Sequence, residues 1–111
     1  MKLEKPFKIK KGEEEIEVKE LKIDSEQFTA SVIIRGEKEF LMTGGIFPSV
    51  GMEYSREFLL CIASKMLGYR IEDLEDNLSG ADFIKLTNTV RGLFNGTELE
   101  NLIQNLFDKQ Q

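Results

Sequence analysis

The most apolar part of the chain is residues 53–67, EYSREFLLCIASKML, in which apolar side chains occur on almost every side of a helical wheel. Gly68 follows directly, and glycine is the residue that most often ends a helix. A surface helix carries one apolar stripe, whereas a helix that is apolar all round is buried by neighbours on several sides. The pattern therefore predicts that residues 53–67 form the central helix of the fold.

Apolar and charged residues alternate in the first 23 residues. Phe7 and Ile9 are separated by a lysine, Ile16 and Val18 by a glutamate, and Gly12 lies between the two runs. Period-two alternation on both sides of a glycine is typical of an antiparallel hairpin with one buried face. A hairpin alone is marginally stable in water, so we expect its apolar face to pack on helices.

Residues 25–43 fit two patterns. Phe28 and Val32 fall on one helical face, which predicts a helix that begins after a polar cap. The apolar residues of 28–34 also alternate, and their β-branched side chains favour a strand. The pattern alone leaves both open. The connector that follows, IFPSVGM at 46–52, contains enough apolar residues that we expect it to pack on the body of the protein.

Two further amphipathic segments come after the central helix, at 71–77 and 79–95. Ser79 and Asp82 have the spacing of a capping box, in which each side chain accepts a hydrogen bond from the backbone N–H of the other residue. The sequence therefore predicts that a new helix begins at Ser79.

The last segment, residues 97–108, carries a narrow apolar stripe. Gly96 separates it from the preceding helix, and Thr97 and Glu100 repeat the capping-box spacing. The stripe consists of five residues at helical spacing, Leu99, Leu102, Ile103, Leu106 and Phe107. Such a stripe either packs on its own domain or binds a partner, so these five residues are the candidate interface for a partner chain or for self-association.

These elements predict an α+β fold that is mainly α, with 111 residues in a single domain. Residues 1–23 form the β-hairpin, and residues 24–111 form the helical part. The hairpin is expected to pack on a bundle of about four to five helices, at 25–43, 53–67, 71–77, 79–95 and 97–108.

Charge is distributed unevenly along the chain. Residues 1–70 hold 12 acidic and 12 basic side chains, whereas residues 71–111 hold 8 acidic and 3 basic ones and carry the whole net charge of −5. An acidic half argues against a nucleic-acid partner. No run approaches the roughly 18 apolar residues of a membrane span, and the N-terminus lacks the apolar block of a signal peptide. We therefore expect a cytoplasmic protein that binds neither nucleic acid nor membrane.

The chain offers little material for catalysis. It contains no histidine, no phosphate-binding glycine motif and one cysteine, Cys61, which lies in the predicted central helix. Clustered carboxylates at residues 72–76 are typical of a solvated helix face. The sequence therefore predicts no enzymatic activity, no cofactor and no metal site.

Short motifs between residues 53 and 96 resemble the small tail assembly chaperones of tailed bacteriophages. They are Tyr54, ASKMLG at 63–68, EDL at 72–74, SGADF at 79–83 and LF at 93–94. The front of the chain is also similar, with KPFKI at 5–9 and EKEFLMTGG at 37–45, which looks like the first helix of the family. The resemblance therefore favours a helix for residues 25–43. The chain departs from the family at Tyr69-Arg70, where members often carry proline, and in 47–52, which has little counterpart.

The resemblance implies a non-enzymatic role in the cytoplasm of the bacterial host. Such chaperones bind the tape measure protein, keep it soluble until the tail tube protein polymerises around it, self-associate, and are absent from the mature virion. Two alternatives stay open, a structural tail or head–tail connector component and a small protein–protein adaptor unrelated to phage. A DNA-binding regulator built on the last helices is disfavoured by the acidity of residues 71–111.

Overall fold

An N-terminal hairpin and four helices make up the part of the chain that the structure, a computed structural model, describes. It describes residues 1–109, and the side chains of residues 1–96. The elements in chain order are β1 (Lys2–Lys11), β2 (Glu14–Glu20), α1 (Ala30–Met42), α2 (Arg56–Leu67), α3 (Ile71–Asn77) and α4 (Gly80–Lys109). The predicted fold class, α+β and mainly α, is confirmed.

The two strands pair antiparallel and turn at Gly12, whose φ of 66° suits a residue without a Cβ. Phe7 pairs with Val18, and both side chains are buried, while lysines and glutamates face each other on the solvent side. The register shifts between Lys2 and Phe7. Pro6 lies in this interval and cannot donate to the ladder, so β1 bulges away from β2 there.

The central position predicted for residues 53–67 belongs to α2, which contacts α1, α3 and α4. Eight of its 12 residues are buried. The helix begins later than predicted, at Arg56, because the Ser55 hydroxyl accepts from the Phe58 N–H at 3.3 Å and caps it. Residues Met52–Tyr54 form a separate 3-10 turn. Gly68 ends α2 with a φ of 74°, as predicted.

Residues 25–43 are helical, but the α-helix begins at Ala30 rather than at 25. The Thr29 hydroxyl accepts from the Val32 N–H at 3.3 Å, while residues Ser25–Gln27 form a 3-10 turn of their own. Gly36 lies where α1 approaches α2. A Cβ on it would lie 2.9 Å from Ile62 Cγ1, so the absence of a side chain permits the close contact between the helices.

The short helix α3 has the predicted bounds, 71–77. The prediction of two helices at 79–95 and 97–108 was wrong, because α4 continues through Gly96 to Lys109. Gly96 is not among the described glycines with positive φ, so it does not adopt the left-handed conformation that ends a helix. A glycine within a helix costs only about 1 kcal/mol relative to alanine, which the flanking helical segments can offset.

The molecule is elongated and measures 59 × 30 × 24 Å. A 30-residue helix such as α4 is about 45 Å long, which exceeds both shorter dimensions, so α4 runs along the long axis. None of the helices in residues 1–109 is both long enough and apolar enough to cross a membrane.

Candidate protein-binding surface

The apolar stripe proposed from the sequence lies in the last part of α4. There the structure describes the helical backbone, but the side chains of Leu99, Leu102, Ile103, Leu106 and Phe107 lie outside the described residues. Their role as an interface therefore stays a prediction.

A second apolar surface, which the sequence did not predict, lies on α1 and the connector after it. Met42 is 87% exposed, Ile46 86% and Val50 71%, and both Ile34 and Leu41 are about half exposed. Single exposed apolar residues are common in folded proteins, but these five large ones are concentrated within 17 residues of sequence. We call Ile34, Leu41, Met42, Ile46 and Val50 the exposed apolar patch.

The helical period explains why α1 cannot bury both of its apolar faces. Its inner face is formed by Val32, Gly36 and Phe40, which are buried. Ile34 and Leu41 are seven residues apart and therefore share the opposite face at about 100° per residue. Any rotation of α1 that buried this outer face would expose the inner one. The exposure of Ile34 and Leu41 is thus fixed by the sequence of the helix.

The connector is held in place by an aromatic cluster. Phe47 packs on Phe40 and Phe58, with ring centroids 4.8 and 5.1 Å apart. The Gly45 N–H also donates to the Phe40 carbonyl oxygen at 2.9 Å. The prediction that the connector packs on the body of the protein is therefore confirmed for Phe47. It is wrong for Ile46 and Val50, which are exposed. Because Phe47 anchors the chain, its neighbour Ile46 is presented to solvent on a fixed backbone.

Basic residues accompany the patch. Arg35 and Lys38 are exposed on α1, and within the described part of the chain neither forms a salt bridge. The third nearby cation, Lys65, is paired with Glu39. A groove of about 520 Å³ beside α1 is lined in part by Arg35, Met42 and Ile71. In a chain of net charge −5, this apolar surface with unpaired cations suits an acidic, amphipathic partner.

At the other side of the fold, the buried side chain of Asp82 joins the hairpin to α4. Its two carboxylate oxygens accept from the backbone N–H groups of Glu4 and Lys5, at 2.9 and 3.0 Å. Its own backbone N–H donates to the Ser79 hydroxyl at 3.1 Å, which confirms one half of the predicted capping box. The other half is wrong, because the carboxylate oxygens accept from the backbone N–H groups of β1 rather than from the backbone N–H of Ser79. The bulge at Pro6 leaves the N–H groups of Glu4 and Lys5 without an acceptor on β2, and the Asp82 carboxylate accepts from them instead.

The electrostatic surroundings keep Asp82 ionised. Burial on its own raises the pKa of this carboxyl, but the hydrogen bonds from Glu4 and Lys5, with smaller contributions from Ser79 and Lys85, lower the pKa below its usual value. At neutral pH the group is a structural anion. It is fully enclosed by the protein, so it is a clamp within the fold rather than a site open to ligands.

The thiol and the clustered carboxylates that the sequence offers as reactive groups can be located in the described residues. Burial, together with Glu39 and Glu75, raises the pKa of the Cys61 thiol to about 11, so the thiol stays protonated and is a poor nucleophile. Among the described residues, no group of three His, Cys, Asp or Glu side chains is placed to hold a metal ion. The carboxylates Glu72, Glu75 and Asp76 lie exposed on α3.

Comparisons of the chain with models of protein families, with curated proteins and with solved structures found no match. One observation from the structure bears on its function, the exposed apolar patch with its unpaired cations.

Proposed function

We propose that this chain is a tail assembly chaperone of a tailed bacteriophage, with the tape measure protein as its client. The exposed apolar patch is the observation that carries the proposal, because it gives the protein a surface suited to another polypeptide. The resemblance of the sequence motifs supplies the identity of the client. The proposed place of action is the cytoplasm of the bacterial host, before the tail is complete.

The physical task of such a chaperone is to cover apolar surface. A long, helix-rich protein that exposes apolar stripes before assembly aggregates through them. The patch offers Met42, Ile46 and Val50 as contacts, while the net charge of −5 keeps the complex from associating further.

The size of the patch suits a chaperone that must later leave. Burying one large apolar side chain contributes about 1.5–3 kcal/mol, and the loss of translational and rotational freedom on binding offsets several kcal/mol of the total. A patch of five such side chains therefore gives reversible binding rather than a permanent complex. Polymerising tail tube protein can then displace the chaperone from the tape measure protein.

The direct test is co-expression with the long helical protein expected from the reading frame directly downstream. We expect the soluble fraction of that protein to rise several-fold when this chain is present, and the two to co-purify. If the client stays equally insoluble and does not co-purify, the chaperone role is wrong. If a different host protein co-purifies instead, the adaptor alternative is favoured.

Mass spectrometry of purified virions separates the proposal from the structural alternative. A chaperone leaves before the particle is finished, so its peptides should be missing while those of the tape measure and tail tube proteins are abundant. Peptides of this chain at a fixed stoichiometry in the particle would identify it as a tail or connector component.

The predicted stripe on the last helix enters the proposal as a second contact. Replacing Leu102→Asp and Leu106→Asp should abolish client binding or self-association while leaving the helix content largely intact. Retained binding would restrict the client site to the exposed apolar patch.

A further inference from the structure

We propose that the groove beside α1 binds a client helix that carries two carboxylates one helical turn apart, at the border of its apolar face. The groove has a volume of about 520 Å³, and Arg35, Lys38 and Met42 of α1 are part of its lining. This inference rests on the proposed function, because the tape measure protein supplies the helix. It adds which kind of client segment is recognised and which side chains recognise it.

The charges that line the groove are paired except for two cations. Its two anions, Glu39 and Glu72, each form a salt bridge with a cation of this chain. Arg35 and Lys38 are exposed, and neither forms a salt bridge within the part of the chain whose side chains are described. The charge that the groove leaves for a ligand is therefore positive, and it attracts carboxylates.

The spacing of the two cations sets the spacing of the carboxylates. Arg35 and Lys38 are three residues apart on α1, so they lie about 4.5 Å apart along the helix axis and within about 60° of each other around it. The α1 residues that line the groove extend from Arg35 to Thr43, about 12 Å along the axis, which is two helical turns. A client helix of two turns that lies along α1 presents neighbouring side chains at i, i+3 or i, i+4. Two carboxylates at that spacing can approach both cations at once.

The groove also offers apolar contact, which favours an amphipathic helix over a small anion. Met42 lines the groove and is 87% exposed, and Ile71 contributes apolar lining from α3. Met42 also belongs to the exposed apolar patch, so the groove and the patch share a border. A small anion would contact the cations alone, whereas an amphipathic helix also covers Met42 with its apolar face.

The anions of the groove disfavour nucleic acid or an anionic membrane as its ligand. Both of these present a dense array of negative charge. Glu39 follows Lys38 directly on α1, and Glu72 is exposed on α3, so part of such an array would meet carboxylates. A helix with two carboxylates on one border can direct them to the cations and keep the rest of its surface free of negative charge.

The test begins with overlapping peptides that cover the tape measure protein, each long enough to form several helical turns. Fluorescence anisotropy with the full chain ranks them by dissociation constant. We expect the tightest peptides to carry a pair of Asp or Glu residues at i, i+3 or i, i+4 beside an apolar stripe. Tightest peptides that are basic or uncharged would overturn this inference and leave the proposed function intact, whereas binding of no peptide would overturn both.

Charge reversal locates the contact. Arg35→Glu with Lys38→Glu should bind the tightest peptide about tenfold more weakly at low salt, since two attractions become repulsions. A peptide whose two carboxylates are replaced by lysine should bind this variant better than it binds the wild type. The matched control, Lys19→Glu with Lys22→Glu, makes the same change in net charge on two exposed lysines and should bind the original peptide like the wild type. Unchanged binding by the groove variant, an equal loss in the control, or no recovery with the lysine peptide would overturn the inference.

A measurement on the wild type does not depend on the folding of a variant. Its affinity for the tightest peptide should fall several-fold as the sodium chloride concentration rises, because salt screens exposed ion pairs. The same peptide with its two carboxylates replaced by amides should bind more weakly at low salt and respond little to salt. An acidic peptide whose affinity is independent of salt would contradict the contact with Arg35 and Lys38.

Discussion

The helices α1 and α2 are similar in length, with 13 and 12 residues, but they use their apolar side chains differently. On α2 the side chains of Phe58, Leu59 and Ile62 are completely buried. On α1 the inner face is buried by α2, while Ile34 and Leu41 remain half exposed on the outer face. The apolar residues of α2 therefore stabilise the fold, and those on the outer face of α1 are left for a partner.

The contrast rests on the close fit between the two helices. At Gly36 the backbone of α1 approaches Ile62 so closely that a side chain has no space. Phe40 then packs on Phe58, with ring centroids 5.9 Å apart. Because α1 is held in this orientation by its inner face, its outer face cannot rotate toward the core. Exposure of the patch is a property of the folded state rather than an error of packing.

The largest effect is expected for Phe58→Ala in α2. Phe58 is completely buried and its ring lies within 6.4 Å of those of Phe40, Phe47 and Phe94. Removing it leaves a cavity that costs about 4 kcal/mol of unfolding free energy, which a small domain tolerates poorly. Urea unfolding followed by circular dichroism measures the loss. The matched change on the surface, Ile46→Ala, should cost less than about 0.5 kcal/mol. Equal losses for the two variants would remove the distinction between buried and exposed residues.

A slightly smaller loss of unfolding free energy is expected for Asp82→Asn, which removes a buried charge instead of a buried ring. The amide keeps one acceptor but turns an N–H group toward the backbone N–H groups of Glu4 and Lys5. The loss of a charged acceptor for buried donors should cost about 3 kcal/mol at pH 7. Urea unfolding measures it, and Asp76→Asn on the exposed surface of α3 is the control. An unchanged stability would mean that the hairpin is held by its apolar face alone.

The wild type and the Asp82→Asn variant should also differ in how their stability depends on pH. The pKa of Asp82 is lowered in the folded state, so its stabilising effect is complete above the unfolded pKa of about 4 and is lost as the pH falls through the lower folded value. The difference in unfolding free energy between wild type and Asp82→Asn should therefore be constant above about pH 5 and shrink below about pH 4. A difference that grows on acidification would contradict the lowered pKa.

For Gly36→Ala we expect the unfolding free energy to fall by about 1 kcal/mol. Alanine is the better helix former, but its Cβ would lie 2.9 Å from Ile62 Cγ1 and 3.2 Å from the Ile62 backbone nitrogen, so the helices must separate. Gly92→Ala in α4 is the matched control, because nothing lies within 4 Å of that Cβ. This control should gain up to about 1 kcal/mol. Thermal unfolding gives both values, and a gain for Gly36→Ala would mean that α1 is not closely packed on α2.

Much of this architecture can be predicted from the sequence, because the period at which apolar residues recur indicates which face of a strand or helix is buried. The hairpin, the bounds of α3 and the central position of α2 follow from such patterns. The ambiguity in residues 25–43 arose because a β-branched run fits both a helix and a strand, and tertiary contact with α2 decides between them.

Other features depend on contacts between segments far apart in sequence. The break expected at Gly96 was wrong because a glycine ends a helix only when it adopts a positive φ, which the residue type alone does not determine. The Asp82 carboxylate accepts a hydrogen bond from the N–H of Glu4, which is 78 positions away in the sequence. The capping-box pattern had predicted the N–H of Ser79, three residues away, as its donor. The exposed apolar patch was also missed, although Ile34 and Leu41 lie opposite Val32 and Phe40 on the helical wheel.

The smallest effect on stability is expected for Met42→Ser combined with Ile46→Ser. Both side chains are more than 80% exposed, so their removal should change the unfolding free energy by less than about 0.5 kcal/mol. Urea unfolding compares the double variant with the wild type. A loss above about 2 kcal/mol would mean that the patch contributes to the fold, which would remove the reason to regard it as a binding surface.

The most direct test of the proposed role is the binding of the tape measure protein to that same double variant. Titration calorimetry with a soluble tape measure fragment measures the dissociation constant for the wild type, for Met42→Ser with Ile46→Ser, and for the control Ile84→Ser on α4, which is half exposed outside the patch. We expect the double variant to bind at least about tenfold more weakly, since two apolar contacts are lost, and the control to bind like the wild type. Equal affinity for all three proteins would contradict the assignment of the exposed apolar patch as the client site.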